Sequence, residues 1–188
     1  MMRIITGKAR GCKLYTLEGT DTTRPTTERV KQAIFSMIQF DIEGRRVLDL
    51  FAGSGQLGLE AISRGADSAV LIDQSRQAIR VIQENAEKTK LASQCTVLQA
   101  DALEYLRRSR GMQYDIVFLD PPYASGLYLP ILRALIENGI LKPHSMIVCE
   151  SDFDEIFRNE PELADRFSVV KQSKYSKTVI TILALKED

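Results

Sequence analysis

Asp120-Pro121-Pro122-Tyr123 follows directly on the apolar run Ile116 to Leu119. An acid, a rigid turn and a flat ring therefore stand together where a buried strand should meet solvent. Proline fixes φ near −65° and carries no N–H, so the pair presents its carbonyl acceptors rigidly. Asp120 adds a carboxylate acceptor, and Tyr123 adds a face on which a flat group can stack. By itself the tetrapeptide also reads as a plain strand-ending turn, and its company in the chain has to decide.

The second candidate is the loop DLFAGSGQLGLE, from Asp49 to Glu60. Gly53, Gly55 and Gly58 match the GxGxxG spacing, and Asp73 stands 20 residues after Gly53. Such glycines permit a tight turn and let a ligand approach the backbone, here alongside Phe51, Ala52 and Ser54. An acid at the end of the next strand, followed here by Gln74, can accept both hydroxyl protons of a ribose. Any nucleoside-containing cofactor is served by this pattern, so NAD and S-adenosylmethionine both remain open, as does a purely structural turn. Asp49 can order the turn or face a cationic ligand, whereas a pyrophosphate site would want no anion so close. Asp101-Ala102 offers an acceptor where an adenine amino group would lie.

These residues need a scaffold that brings them together, and the hydrophobic pattern supplies one. RVLDLF, SAVLID, CTVLQA, YDIVFLD and SMIVCE read as buried strands. Helical segments separate them, over Leu57 to Ser63, Arg76 to Lys88, Ala102 to Arg108 and Tyr128 to Glu137. That alternation predicts an α/β fold with a parallel sheet covered by helices on both faces. Phe167 to Lys171 and Thr178 to Leu185 are joined by QSKYSK, too short for a crossover helix, so they form an antiparallel pair. Ligands of such sheets bind at the carboxyl ends of the strands. Asp49, Asp73, Asp101 and Asp120 all fall at or near those ends.

The first 45 residues form an extension ahead of the main domain, 46–188. RIITGKARGCKLY reads as two short extended runs, LEGTDTTRPTTER as a loop. An amphipathic helix then runs from Thr26 or Thr27 to about Phe40, with Val30, Ala33, Ile34, Met37 and Ile38 on one face. Residues 1–46 hold nine Lys/Arg against five Asp/Glu, while the remainder holds 16 against 20. A basic end on a mildly acidic body suits a polyanionic partner or simply a solvated surface. Arg3, Lys8, Arg10, Lys13, Arg24, Arg29 and Lys31 are the candidate phosphate contacts. No apolar run reaches the roughly 18–20 residues of a membrane-spanning helix, and no secretory leader is visible, which points to the cytoplasm. Cys12, Cys95 and Cys149 lack metal-ligand or disulfide spacing, and the single histidine, His144, reads as surface.

The glycine loop, Asp73, Asp101-Ala102 and Asp120-Pro121-Pro122-Tyr123, in this order, resemble class I S-adenosylmethionine-dependent methyltransferases that modify amino groups. RIITGKARGCKL and RPTTERVKQAIF further resemble the bacterial 16S rRNA (guanine-N2) methyltransferases, the RsmD family. The resemblance implies a Rossmann-like seven-stranded sheet of order 3-2-1-4-5-7-6 with the last strand antiparallel. It implies S-adenosylmethionine bound by Asp49, Phe51 to Gly55, Gly58, Asp73, Gln74, Asp101 and Ala102. It also implies 16S rRNA as partner. The basic patch of the first 46 residues, net +4, is small, which predicts a need for structured rRNA such as a small-subunit assembly intermediate, met by Arg10, Arg24, Thr26 and Arg29. Two departures are visible: Cys12-Lys13 replaces a more basic pair, and Tyr123 stands for phenylalanine.

A nucleobase amine is a poor nucleophile because its lone pair is delocalised into the ring. Asp120 and the Pro121 carbonyl, each accepting one N–H, would hold it pyramidal at near-attack distance and stabilise the charge developing on nitrogen. Stacking on Tyr123, worth about 1–3 kcal/mol, is comparable to the few kcal/mol needed to flip a base. A sulfonium methyl is already activated, so this chemistry calls for no metal. The rival readings are DNA or other RNA methylation at adenine N6 or cytosine N4, protein glutamine methylation, an NAD-dependent oxidoreductase and a non-catalytic RNA-binding assembly factor. Glutamine methylation prefers asparagine at the position of Asp120, and hydride transfer leaves the Pro-Pro tetrapeptide idle.

Overall fold

The computed structural model describes residues 2–17, 27–122, 125–158 and 160–186. Seven strands make one sheet: β1 (Arg46–Asp49), β2 (Ser68–Asp73), β3 (Cys95–Gln99), β4 (Tyr114–Leu119), β5 (Leu141–Ser151), β6 (Phe167–Tyr175) and β7 (Thr178–Leu185). Their order is β3-β2-β1-β4-β5-β7-β6, as the resemblance implies. β1 to β5 pair in parallel, and β7 pairs antiparallel with both β5 and β6. The helices are α1 (Glu28–Met37), α2 (Gln56–Ser63), α3 (Arg76–Lys88), α4 (Ala102–Arg108), α5 (Tyr128–Glu137) and the short α6 (Pro161–Ala164). No helix among the described residues is long and apolar enough to cross a membrane.

Strand alternation splits the core in two. Val47, Ile116 and Phe118 face the cluster built with α1, α2 and α3. Leu48, Leu50, Val117 and Leu119 face the cluster built with α4 and α5. Both faces of the central strands are therefore apolar, which is why they read as continuous hydrophobic runs. β1 has β2 on one side and β4 on the other. The direction of winding reverses there, and a crevice opens beyond the strand ends.

Residues 2–17 form a hairpin-like lead-in with an antiparallel bridge between Arg3 and Lys13. Ile4 and Leu14 from it, and Val30, Ile34, Phe35 and Ile38 from α1 and the turn after it, are buried in the same cluster as the sheet. α1 starts at Thr27, whose hydroxyl accepts the Val30 N–H at 3.3 Å, and it ends at Met37, three residues earlier than expected. The tail departs from expectation too. β6 extends through most of QSKYSK to Tyr175, leaving Ser176-Lys177 as the turn, because Gln172 to Tyr175 stay in register with Thr181 to Thr178.

Lys31 is the clearest correction. Expected among the phosphate contacts, it is fully buried, with its ammonium 3.3 Å from Glu60 and donating to the Arg3 carbonyl at 2.6 Å. Burial pulls its pKa below the lysine range, and the Glu60 carboxylate opposes that shift. It anchors the lead-in and is closed to RNA.

Candidate active site

The strand ends surround a cavity of about 710 Å³. Of the residues singled out in sequence, Asp49, Phe51, Ala52, Gly53, Ser54, Asp73, Gln74, Asp101, Ala102, Asp120, Pro121 and Pro122 line it. The register explains the convergence. Asp49 lies opposite Phe118 on the neighbouring strand, so two residues further on Phe51 and Asp120 come level at the mouth. Asp120 is half-buried, Pro121 is buried and Pro122 is exposed. Tyr123, Arg24 and Thr26 lie outside the described residues.

The glycine loop is shaped by three different demands. Gly53 sits at φ 56° on the cavity wall, and a Cβ placed there would meet no atom within 4 Å, so bare backbone faces the cavity. Gly55, at φ 79°, ends the loop against Ile82 of α3. Gly58 does not reach the cavity. Its Cβ would fall 2.1 Å from Leu71, so this glycine serves the close packing of α2 on β2. A missing side chain at Gly53 leaves space that a ligand can fill, and the fit to a nucleoside cofactor rests on that cradle.

Asp73 holds the loop in place. One of its oxygens accepts the Gly53 N–H at 2.9 Å and the other the Ser75 N–H at 2.8 Å. A carboxylate has about four acceptor sites, so each oxygen keeps capacity for one hydroxyl of a ribose. Asp101 caps α4 by accepting the Glu104 N–H at 3.0 Å and still borders the cavity. Asp49 occupies the α2-facing side of β1 and accepts the Gly58 N–H at 3.3 Å, with the Phe51 N–H as a further donor. It therefore orders the turn, the first of its two expected roles, while also lining the cavity. Asp73, Asp101 and Asp120 around one crevice create a potential that favours a cationic ligand.

Burial pushes the Asp49 carboxyl up to about 7, against the pull of the Gly58 and Phe51 N–H groups, and the Asp73 charge adds to the rise. The folded value thus lies above the unfolded one of about 3.9. Without ligand, the folded state holds an extra proton between roughly pH 4 and pH 7. That contribution is fully present below about pH 4 and is lost as pH rises through 7, at most about 4 kcal/mol in all. Asp49→Asn should flatten this limb of the stability profile in denaturant titrations from pH 4 to 8. Parallel profiles for the two proteins would assign the limb to other groups.

Several positions were not legible as site residues. Met2, Thr16 and Leu17 of the lead-in line the cavity, as do Ser125 and Leu127 after β4. Asn85, fully buried in α3, donates to the Ser54 carbonyl at 2.9 Å and to the Tyr15 carbonyl at 3.0 Å, and accepts the Tyr15 N–H at 2.7 Å. One amide thus ties the lead-in to the glycine loop. A signal existed: Ala78, Ile82, Asn85, Ala86 and Thr89 follow helical spacing, which puts two polar residues on the buried stripe of α3. Arg10 and Arg29 are exposed, as a surface contact requires.

The model of the family described as conserved hypothetical protein 95 matches residues 2–184. Ribosomal RNA small subunit methyltransferase D of Escherichia coli K12 is 37% identical over 153 residues, covering 81% of this chain and 76% of that protein. A solved structure of a conserved hypothetical protein from Streptococcus pyogenes superposes with a TM-score of 0.73 at 36% identity, over 84% of this chain and 96% of that one. At the level of fold alone, an RNA methyltransferase from Salinibacter ruber, solved with S-adenosyl-L-homocysteine, superposes with a TM-score of 0.68 at 18% identity. It covers 88% of this chain and 95% of its own.

Proposed function

The chain belongs to the conserved hypothetical protein 95 family, and from that premise we propose that it methylates the exocyclic N2 amine of a guanine in 16S rRNA within a small-subunit assembly particle. The observation that carries this reading is the sharing of one cavity by Asp120-Pro121-Pro122, the Gly53 backbone and Asp73. S-adenosylmethionine, when bound, supplies a methyl group already activated on a sulfonium. The methyltransferase name of the E. coli relative supports that cofactor, and so does the Salinibacter ruber complex on the same fold.

In this reading Asp73 takes the ribose hydroxyls, and Gly53 with its neighbours Phe51, Ala52 and Ser54 faces the cofactor with backbone. Gln74, Asp101 and Ala102 border the adenine end, and Gly55 and Gly58 shape the loop. Asp120 and the Pro121 carbonyl each accept one N–H of the target amine, and Pro122 fixes the turn before Tyr123, which stacks on the base. Proton loss from the methylated nitrogen passes to Asp120 or to water, since its pKa falls steeply as the N–C bond forms. The extension 1–45 meets RNA through Arg10 and Arg29, with Arg24 and Thr26 leading into α1.

The test is transfer of labelled methyl groups to 16S rRNA from cells lacking this protein, supplied naked and as partly assembled particles, followed by nucleoside mapping. Label should appear in N2-methylguanosine and faster in particles. Label in N6-methyladenosine or N4-methylcytidine would replace the base assignment, and equal transfer to a short unstructured oligonucleotide would remove the particle from the reading.

A further inference from the structure

Tyr15 is half exposed, at 50%. Both of its backbone hydrogen-bonding groups are held by the buried Asn85 side chain. The Lys88 ammonium lies 3.8 Å from its ring centroid, so a cation covers one face of the ring. Lys88 itself is exposed and makes no ion pair among the described residues. Thr16 and Leu17, the next two residues, line the cavity, while the ring itself lies over Lys88, the last residue of α3. The Cys12 thiol reaches the Lys88 carbonyl, so the lead-in packs against the end of α3. Nothing in cofactor binding or methyl transfer uses this ring. An aromatic side chain left half in water on a locked backbone, beside an unpaired cation, is the arrangement that stacks unpaired bases and neutralises the adjoining phosphate.

We propose that Tyr15 and Lys88 form a second nucleobase subsite, which stacks an unpaired base other than the target and pairs its phosphate. This rests on the rRNA methyltransferase reading above and deepens it. Asn85 acts through Tyr15 and the Ser54 carbonyl as a positioning residue, fixing the distance between this platform and the glycine loop. The target base goes to Asp120, and the second base sets the register of the strand.

The chain contains no tryptophan, so Tyr15→Trp introduces a single tryptophan at the platform, which can be excited apart from the tyrosines. Its emission should be quenched by a 16S rRNA transcript and left unchanged by S-adenosylmethionine. In filter binding with the same transcript, Tyr15→Ala should weaken affinity about 5- to 150-fold, and Tyr15→Phe should bind as the parent does. Lys88→Ala should make the slope of log affinity against log salt shallower by about 0.7 to 0.9. S-adenosylmethionine affinity, measured by calorimetry, should not move in any of them, which also certifies their folding. Parent-like rRNA affinity in Tyr15→Ala, or a tryptophan signal that follows the cofactor, overturns the subsite and leaves the methyltransferase reading intact. A parent protein that binds neither the transcript nor a partly assembled particle overturns both.

Discussion

Asp120→Ala should bind S-adenosylmethionine with the affinity of the parent protein and transfer methyl groups at least about 10²- to 10³-fold more slowly, a loss of about 3–4 kcal/mol. The carboxylate stands half-buried at the mouth of the cavity, level with Phe51 of the glycine loop. In the proposed reaction it meets an amine whose nitrogen gains positive charge only as the bond to carbon forms. An interaction that strengthens in the transition state acts on kcat, whereas one present equally with bound substrate acts on KM. Asp120→Asn keeps an oxygen acceptor and loses the charge, so it should fall between parent and alanine variant.

Single-turnover transfer to 16S rRNA at saturating cofactor separates the cases. A variant with parent-like kcat and a raised KM would reduce Asp120 to a binding group. A variant that no longer binds S-adenosylmethionine would place the carboxylate in the cofactor site. In either outcome the acceptor pair loses its role in the chemistry.

What could be read from sequence follows from how local each signal is. β1, β2 and β4 are short β-branched runs buried on both faces, and their limits were legible to within a residue or two. Asp73, Asp101 and Asp120 were legible because a parallel sheet gathers its strand ends at one edge, whatever the side chains do in detail. Lys31 and Glu60 were not legible. The run ERVKQAIF places Lys31 beside Val30 at the margin of an apolar stripe, where a lysine ordinarily reaches for water. Its partner lies 29 residues on, in a helix all of whose residues are buried. Only the docking of the lead-in across α2 closes that face. Asn85 and Tyr15 are separated by 70 residues, so their pairing is a tertiary fact. β6 was shortened for a similar reason. Its polar residues sit on an edge strand with much of its length in water, where no apolar alternation marks its end.

The buried charge cluster carries the largest expected effect on stability. Glu60 is fully buried and accepts the Ile5 N–H at 2.7 Å, the Thr6 N–H at 3.0 Å and the Arg64 Nε–H at 2.8 Å, with the Lys31 ammonium 3.3 Å away. Glu60→Ala leaves the Lys31 ammonium buried with no carboxylate and strips two lead-in N–H groups of their acceptor. Removing one partner of a buried pair costs about 3–5 kcal/mol, which for a chain of this size lowers Tm by roughly 6–20 °C. The denaturant midpoint should fall with an unchanged slope. If the cost is the stranded cation, Lys31→Met introduced into Glu60→Ala should recover part of it, and the double-mutant cycle should show strong coupling. Additive losses would instead locate the stability in the hydrogen bonds to Ile5 and Thr6.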